Sequence, residues 1–223
     1  MKILYVCDLL EQVDGVTYQA LKEHFINEEI NTVSISYDEP SKAIDIIEAA
    51  IKEYDLLIAS GLGCYLSIRF TEIPKILINF LYPDDVKEQF NGKEEIYKEL
   101  IDCGMKRDKD YDYKQKIYNQ ENTFYLFGTE DEIKNNIGGI DCEIQYEIAG
   151  YIFLDGLSPF SGIGYRYNAD PEIEDKYFSY GRVYEVYSTK HKIDASSTNC
   201  LEAIDECIKR IISNSINKEG LNQ

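Results

Sequence analysis

Apolar residues along this chain fall into short continuous runs separated by longer mixed segments. The first run, Lys2–Val6 (KILYV), is bounded by polar residues, and Asp55–Ala59 (DLLIA), Lys75–Phe80 (KILINF) and Thr123–Phe127 (TFYLF) repeat its form. Runs of this length, apolar at nearly every position, predict strands buried on both faces, as in a parallel sheet. Asn31–Tyr37 (NTVSISY) and Arg182–Tyr187 (RVYEVY) alternate instead, with β-branched and aromatic residues. They predict a second strand and the last strand of the sheet.

Helical spacing fills the intervals. Val16–Asn27 places Val16, Ala20, Leu21 and Phe25 together, and Ser41 stands before Ala43, Ile44, Ile47, Ala50 and Ile51 as an expected N-cap. A helix through Leu66 and Phe70 follows DLLIA, and another covers Glu94–Ile101. Thr198–Ile212 sets Leu201, Ile204, Ile208, Ile211 and Ile212 on one side, with a frayed polar tail expected after Ser213. Strands alternating with helices predict a three-layer α/β fold with a mostly parallel central sheet, the four continuous runs adjacent in its middle. Two stretches break the alternation and read as insertions: 83–120, rich in Lys, Asp, Glu and Tyr and placed where a lid can enter, and 138–180, rich in aromatics and glycines. The 223 residues suit one domain over 1–223 carrying both.

Composition narrows the function classes. The formal charge of −18, from 41 acidic and 23 basic residues, offers no basic footprint for nucleic acid or an anionic membrane. No apolar run approaches the ~20 residues of a spanning helix, and Met1–Leu10 lacks the parts of a signal peptide, so a soluble, cytoplasmic chain is expected. The six cysteines (Cys7, Cys64, Cys103, Cys142, Cys200 and Cys207) contain no C-x-x-C pair and stand beside only two histidines. They read as reduced, mostly buried small hydrophobes, with no metal site. No G-x-G-x-x-G or P-loop occurs, and no cofactor is expected.

Three local patterns carry chemistry. Ala59-Ser60-Gly61-Leu62-Gly63 joins a strand to a helix with small residues at the tight positions of a nucleophile elbow, and Gly61 stands in the nucleophile slot. Gly128-Thr129-Glu130-Asp131-Glu132 follows the strand TFYLF, where a triad acid sits in that layout, and Asp131 is its candidate. His191 follows RVYEVYS and precedes the last helix, where the histidine of such a triad overhangs the elbow. His24, on the early helix, reads as structural or solvated.

With these residues in order, the chain resembles the YqiA/YcfP-like α/β-hydrolases, small bacterial esterase-type proteins. The resemblance rests on MKILYV, SKAIDIIEAAIKEYDLLIASGLGCYLSIRF, KILINFLYP, FYLFGTEDE and STKHKIDASSTNCLEAI, about half the chain. It implies an α/β-hydrolase fold, carboxylic-ester hydrolysis, a small acyl or ester ligand, Asp131 and His191 as triad members, and Gly61, Leu62 and Gly63 as elbow backbone. Two departures are plain. Gly61 replaces the serine, and Cys7-Asp8 replaces the family's usual His-Gly near the oxyanion hole.

Without an Oγ or Sγ at position 61 no acyl-enzyme can form. A histidine held by aspartate can still activate water, and backbone N–H groups at the elbow can hold an oxyanion, while Asp8 is expected to repel the developing charge. Ser60 lies one position early for attack and Cys64 one turn late. One reading is therefore an impaired esterase. A second is a non-catalytic binding member of the fold, with Asp131 and His191 as a polar contact and Tyr65, Tyr82, Tyr151 and Tyr165 lining the cleft. A third, the opening of a nucleotide-sugar glycosyltransferase in MKILYVCDLL and GVTYQALKEHF, lacks the second domain that class needs. If Gly61 occupies a strained elbow, Gly61→Ser is expected to fold at a loss of roughly 1–3 kcal/mol.

Overall fold

The continuous apolar runs become the middle of one sheet. In the computed structural model, which describes residues 1–9, 11, 14–103, 120, 122–128, 130–131, 177–180, 182–194 and 197–220, the strands are β1 (Lys2–Val6), β2 (Glu29–Thr32), β3 (Leu56–Ser60), β4 (Lys75–Ile78), β5 (Thr123–Gly128), β6 (Tyr177–Tyr180) and β7 (Val183–Val186). Their order is β2-β1-β3-β4-β5-β7-β6. Every neighbouring pair is parallel except β6 with β7. The helices are α1 (Val16–His24), α2 (Pro40–Ala50), α3 (Leu62–Ser67), α4 (Glu94–Cys103) and α5 (Thr198–Gly220), with 3-10 turns at Ile51–Glu53 and Pro83–Phe90.

Alternation along each strand builds two cores. Leu4, Val6, Leu57, Ala59, Leu77, Tyr125 and Phe127 face Ala43, Ile47, Leu66 and Leu100 of α2, α3 and α4. Ile3, Tyr5, Leu56, Ile58, Ile76, Ile78, Phe124 and Leu126 face Leu21 of α1 and Leu201, Ile204 and Ile208 of α5. Both sheet faces are covered, so the strands need no polar face. That is why their sequences are continuous rather than alternating.

Several boundaries differ from expectation. The second strand is Glu29–Thr32, not Asn31–Tyr37. Among the described residues its only partner is β1, and Thr32 already pairs with Tyr5, near the end of that strand. Ser41 does not cap α2. Pro40 starts the helix, where a missing N–H costs nothing, and the Ser41 hydroxyl donates instead to Glu99 Oε1 at 2.7 Å. α3 ends at Ser67, short of Phe70. The run Val183–Val186 is the last strand in chain order among the described residues, as expected, and β6 pairs outside it at the sheet edge. α5 does not fray after Ser213 but continues to Gly220. The first part of 83–120 packs into the core through Val86, Phe90 and Leu100. Residues 104–119 lie outside the described residues, as does 138–180 apart from β6.

Candidate functional site

The chain passes from β1 outward to β2 and returns to β3 on the other side of β1. The strand order therefore reverses between β1 and β3, the place in parallel sheets where the loops diverge and leave a crevice. Asp8 follows β1 and Gly61 follows β3 at that crevice.

Gly61 turns the chain from β3 into α3 at φ 53°, ψ −124°. A residue with a Cβ is strained at this positive φ, whereas glycine adopts it at little steric cost. Its neighbour Gly63 serves close approach. A Cβ there would lie 2.8 Å from the carbonyl oxygens of Val6 and Cys7. The elbow thus brings α3 down onto the end of β1, and the Leu62 N–H points at Asp8.

Asp8 occupies the space a side chain at position 61 would need. Its Oδ1 accepts the Leu62 N–H at 2.7 Å, and a Cβ on Gly61 would lie 2.1 Å from the same oxygen. Asp8 Oδ2 stands 2.9 Å from His191 Nε2, and on the other side of the ring Nδ1 stands 3.0 Å from Asp131 Oδ2. Asp131 reaches the ring from the turn after β5, and His191 from the loop after β7. The three side chains form one line, Asp8–His191–Asp131. Asp8 and His191 are 2% exposed and Asp131 1%, so solvent does not screen the array.

Burial opposes a charged imidazole, but hydrogen bonds and charge from Asp131 and Asp8 outweigh it. Together they lift His191 from the ordinary 6.5 to about 9. The ring is an imidazolium at neutral pH, donating one N–H to each carboxylate. In that state Nε2 has no lone pair to take a proton from water or an alcohol. The N–H that follows the elbow, the natural donor to an oxyanion, already serves Asp8. In that state the His191 ring is a donor to both carboxylates, and the Leu62 N–H is taken by Asp8.

The hydroxyl and thiol nearest Gly61 in the sequence point elsewhere, as their positions imply. Ser60 Oγ meets the Tyr5 hydroxyl at 2.7 Å, and Cys64 Sγ donates to the Ala59 carbonyl at 3.2 Å. Cys7 borders the crevice, but burial pushes its thiol up to about 11, which keeps it unreactive. Tyr65 and Tyr82 do not line the cleft. They are 2% and 1% exposed and pack edge to face in the core. Tyr151 and Tyr165 lie outside the described residues. His24 pairs with Asp205 at 2.8 Å, joining α1 to α5 on the surface. Cys7, Cys64, Cys103, Cys200 and Cys207 are free thiols, and Cys142 lies outside the described residues. Among the described residues no group of three or more His, Cys, Asp or Glu is arranged to hold a metal ion.

A cavity of about 480 Å³ opens on the outer side of Asp8, between the end of β1 and the segment after β2. Glu11, Tyr37, Asp38 and Lys93 lie on its wall. Lys93 pairs with Asp38 at 2.7 Å, so the wall carries an excess of carboxylate. Two polar residues of the site have no motif in the sequence. The Tyr37 hydroxyl donates to the Cys7 carbonyl at 2.6 Å, fixing the chain beside Asp8. Asn79, at the end of β4, bonds the backbone beside His191. Its one visible sign is a polar side chain inside the run KILINF.

The sequence matches no protein-family model and no curated protein. The structure is similar to that of NosK from Streptomyces actuosus, with a TM-score of 0.56 and 12% identity over 93% of this chain and 97% of that one. That likeness covers the fold: a largely parallel sheet with flanking helices. No helix among the described residues is long and apolar enough to cross a membrane.

Proposed function

We propose that the chain is a non-catalytic, ligand-binding member of the α/β-hydrolase fold, in which the Asp8 carboxylate stands in the place of the nucleophile. The layout supports the hydrolase part. A glycine elbow follows β3, an acid follows β5 and a histidine follows β7, in the order the family resemblance implies. The observation that carries the binding part is the position of Asp8. It takes both the Leu62 N–H and His191 Nε2, the two groups an esterase keeps for its oxyanion and its nucleophile.

The ligand site is the cavity bordered by Asp8. Its carboxylate excess favours a neutral or cationic small molecule, such as an uncharged acyl ester, over a carboxylate anion. A panel of acyl esters of varied chain length, read for both turnover and thermal shift, tests the proposal. Wild-type protein is expected to leave every ester at the background rate while its Tm rises with a subset. Turnover by wild type that His191→Ala abolishes would overturn the proposal in favour of an esterase.

A further inference from the structure

The array takes its side chains from three segments: Asp8 after β1, Asp131 on the turn after β5 and His191 on the loop after β7, with the elbow after β3 holding Asp8 through the Leu62 N–H. Asn79 ties the last two of these segments together and lies beside the elbow. It is fully buried and adopts φ 48°, a left-handed backbone that asparagine tolerates better than most residues. Its backbone N–H donates to the Leu126 carbonyl at 2.7 Å, continuing the ladder to β5. Next to it in the chain, Ile78 accepts the Gly61 N–H at 2.9 Å, so the same bend touches the elbow.

The side chain spans the other two loops. Asn79 Nδ2 donates to the Lys190 carbonyl at 3.0 Å and to the His191 carbonyl at 3.1 Å. Asn79 Oδ1 accepts the Gly128 N–H at 2.7 Å. Two acceptors on one side and one donor on the other fix the amide's orientation, because a flipped amide would oppose like groups at all three contacts. Beside it, the Glu130 N–H donates to the Thr189 carbonyl at 3.0 Å, joining the same two loops once more.

We propose that Asn79 is the positioning residue of the site, its amide setting the His191 backbone against the Asp131 turn so that the imidazole falls between the two carboxylates. The inference rests on the Asp8–His191–Asp131 array described above, not on any catalysis by it. A hydrogen bond to a buried carboxylate is steep in distance and angle, so a shift of the His191 loop by a fraction of an ångström weakens both contacts at once. A residue that only filled space would not affect the ring's protonation.

The test follows the His191 ring by nitrogen-15 NMR across pH, in the full chain. Asn79→Gly accepts the left-handed backbone and removes the amide. Asn79→Asp keeps the shape and the acceptor to Gly128 but loses donation to the two carbonyls. Asn79→Gly is expected to release the His191 proton more readily, with a roughly tenfold or greater fall in proton affinity, whereas in Asn79→Asp the new carboxylate favours the imidazolium and offsets part of that fall, leaving the proton affinity between wild type and Asn79→Gly. In wild-type protein the Asn79 side-chain amide protons are expected to exchange slowly with solvent. A His191 titration unchanged in folded Asn79→Gly overturns the inference, and so does fast exchange of the wild-type Asn79 amide if that variant does not fold. Should wild-type His191 itself titrate like a free imidazole, the array fails first, which separates that failure from this one.

Discussion

At the scale of single residues the site is a charge problem. One imidazolium stands between two buried carboxylates, and removing it leaves both uncompensated. His191→Ala is therefore expected to cost about 3–5 kcal/mol in denaturant unfolding, far more than loss of a loop histidine. His24→Ala, which breaks a partly exposed pair, is expected to cost no more than about 1 kcal/mol. The expectation that Gly61→Ser folds at a modest loss does not hold against the geometry, because the new Cβ would lie 2.1 Å from Asp8 Oδ1. Gly61→Ser is expected to be tolerated far better in an Asp8→Gly background. The double-mutant cycle should show a coupling of about 0.5–3 kcal/mol, and additive losses would contradict the overlap. Asp131, His191 and Gly61 were legible as candidates because each follows a strand in a recognisable order. Asp8 was misjudged. Its proximity to the oxyanion position was visible, but whether a carboxylate repels charge there or occupies the place depends on the Leu62 N–H and on His191, which only the folded chain brings to it.

Among the elements, the continuous strands were the most legible because burial on both faces leaves a mark at every position. The ends were less so. β2 pairs on one side only, so its extent follows the length of β1 rather than its own alternation through Ser36. The length of α5 is likewise faint in the sequence. Toward its end Ile212 and Ile216 are 48% and 63% exposed, so the apolar pattern fades there. Ile204, by contrast, is fully buried against the sheet face that carries Phe124 and Leu126. Ile204→Ala is expected to cost about 2–5 kcal/mol and Ile212→Ala within about 0.5 kcal/mol. Equal losses would mean that α5 packs on a different face.

For the whole molecule, the strand order places every member of the array at one edge of the sheet, where successive parallel strands all end. The reversal between β1 and β3 leaves room there for Asp8 to reach the elbow. Adjacency of the four apolar runs was legible from composition. The antiparallel β6 at the far edge was not, because residues 177–180 carry no pattern distinct from the aromatic-rich stretch before them. The array also ties global stability to pH. His191 binds its proton more tightly folded than unfolded, so its contribution is complete below about 6.5 and is lost as pH rises through about 9. Stability should fall across that window by on the order of 3 kcal/mol in wild type, and the fall should be absent in His191→Gln. The central claim is that His191 is an imidazolium held by Asp8 and Asp131, and the chain's two histidines make it directly measurable. In a nitrogen-15 NMR titration, with His24 assigned through His24→Gln, His191 is expected to keep both ring N–H protons through neutral pH and to titrate near 9. A midpoint at or below 6.5, with Nε2 unprotonated at neutral pH, would contradict the array and return His191 to the role of a base.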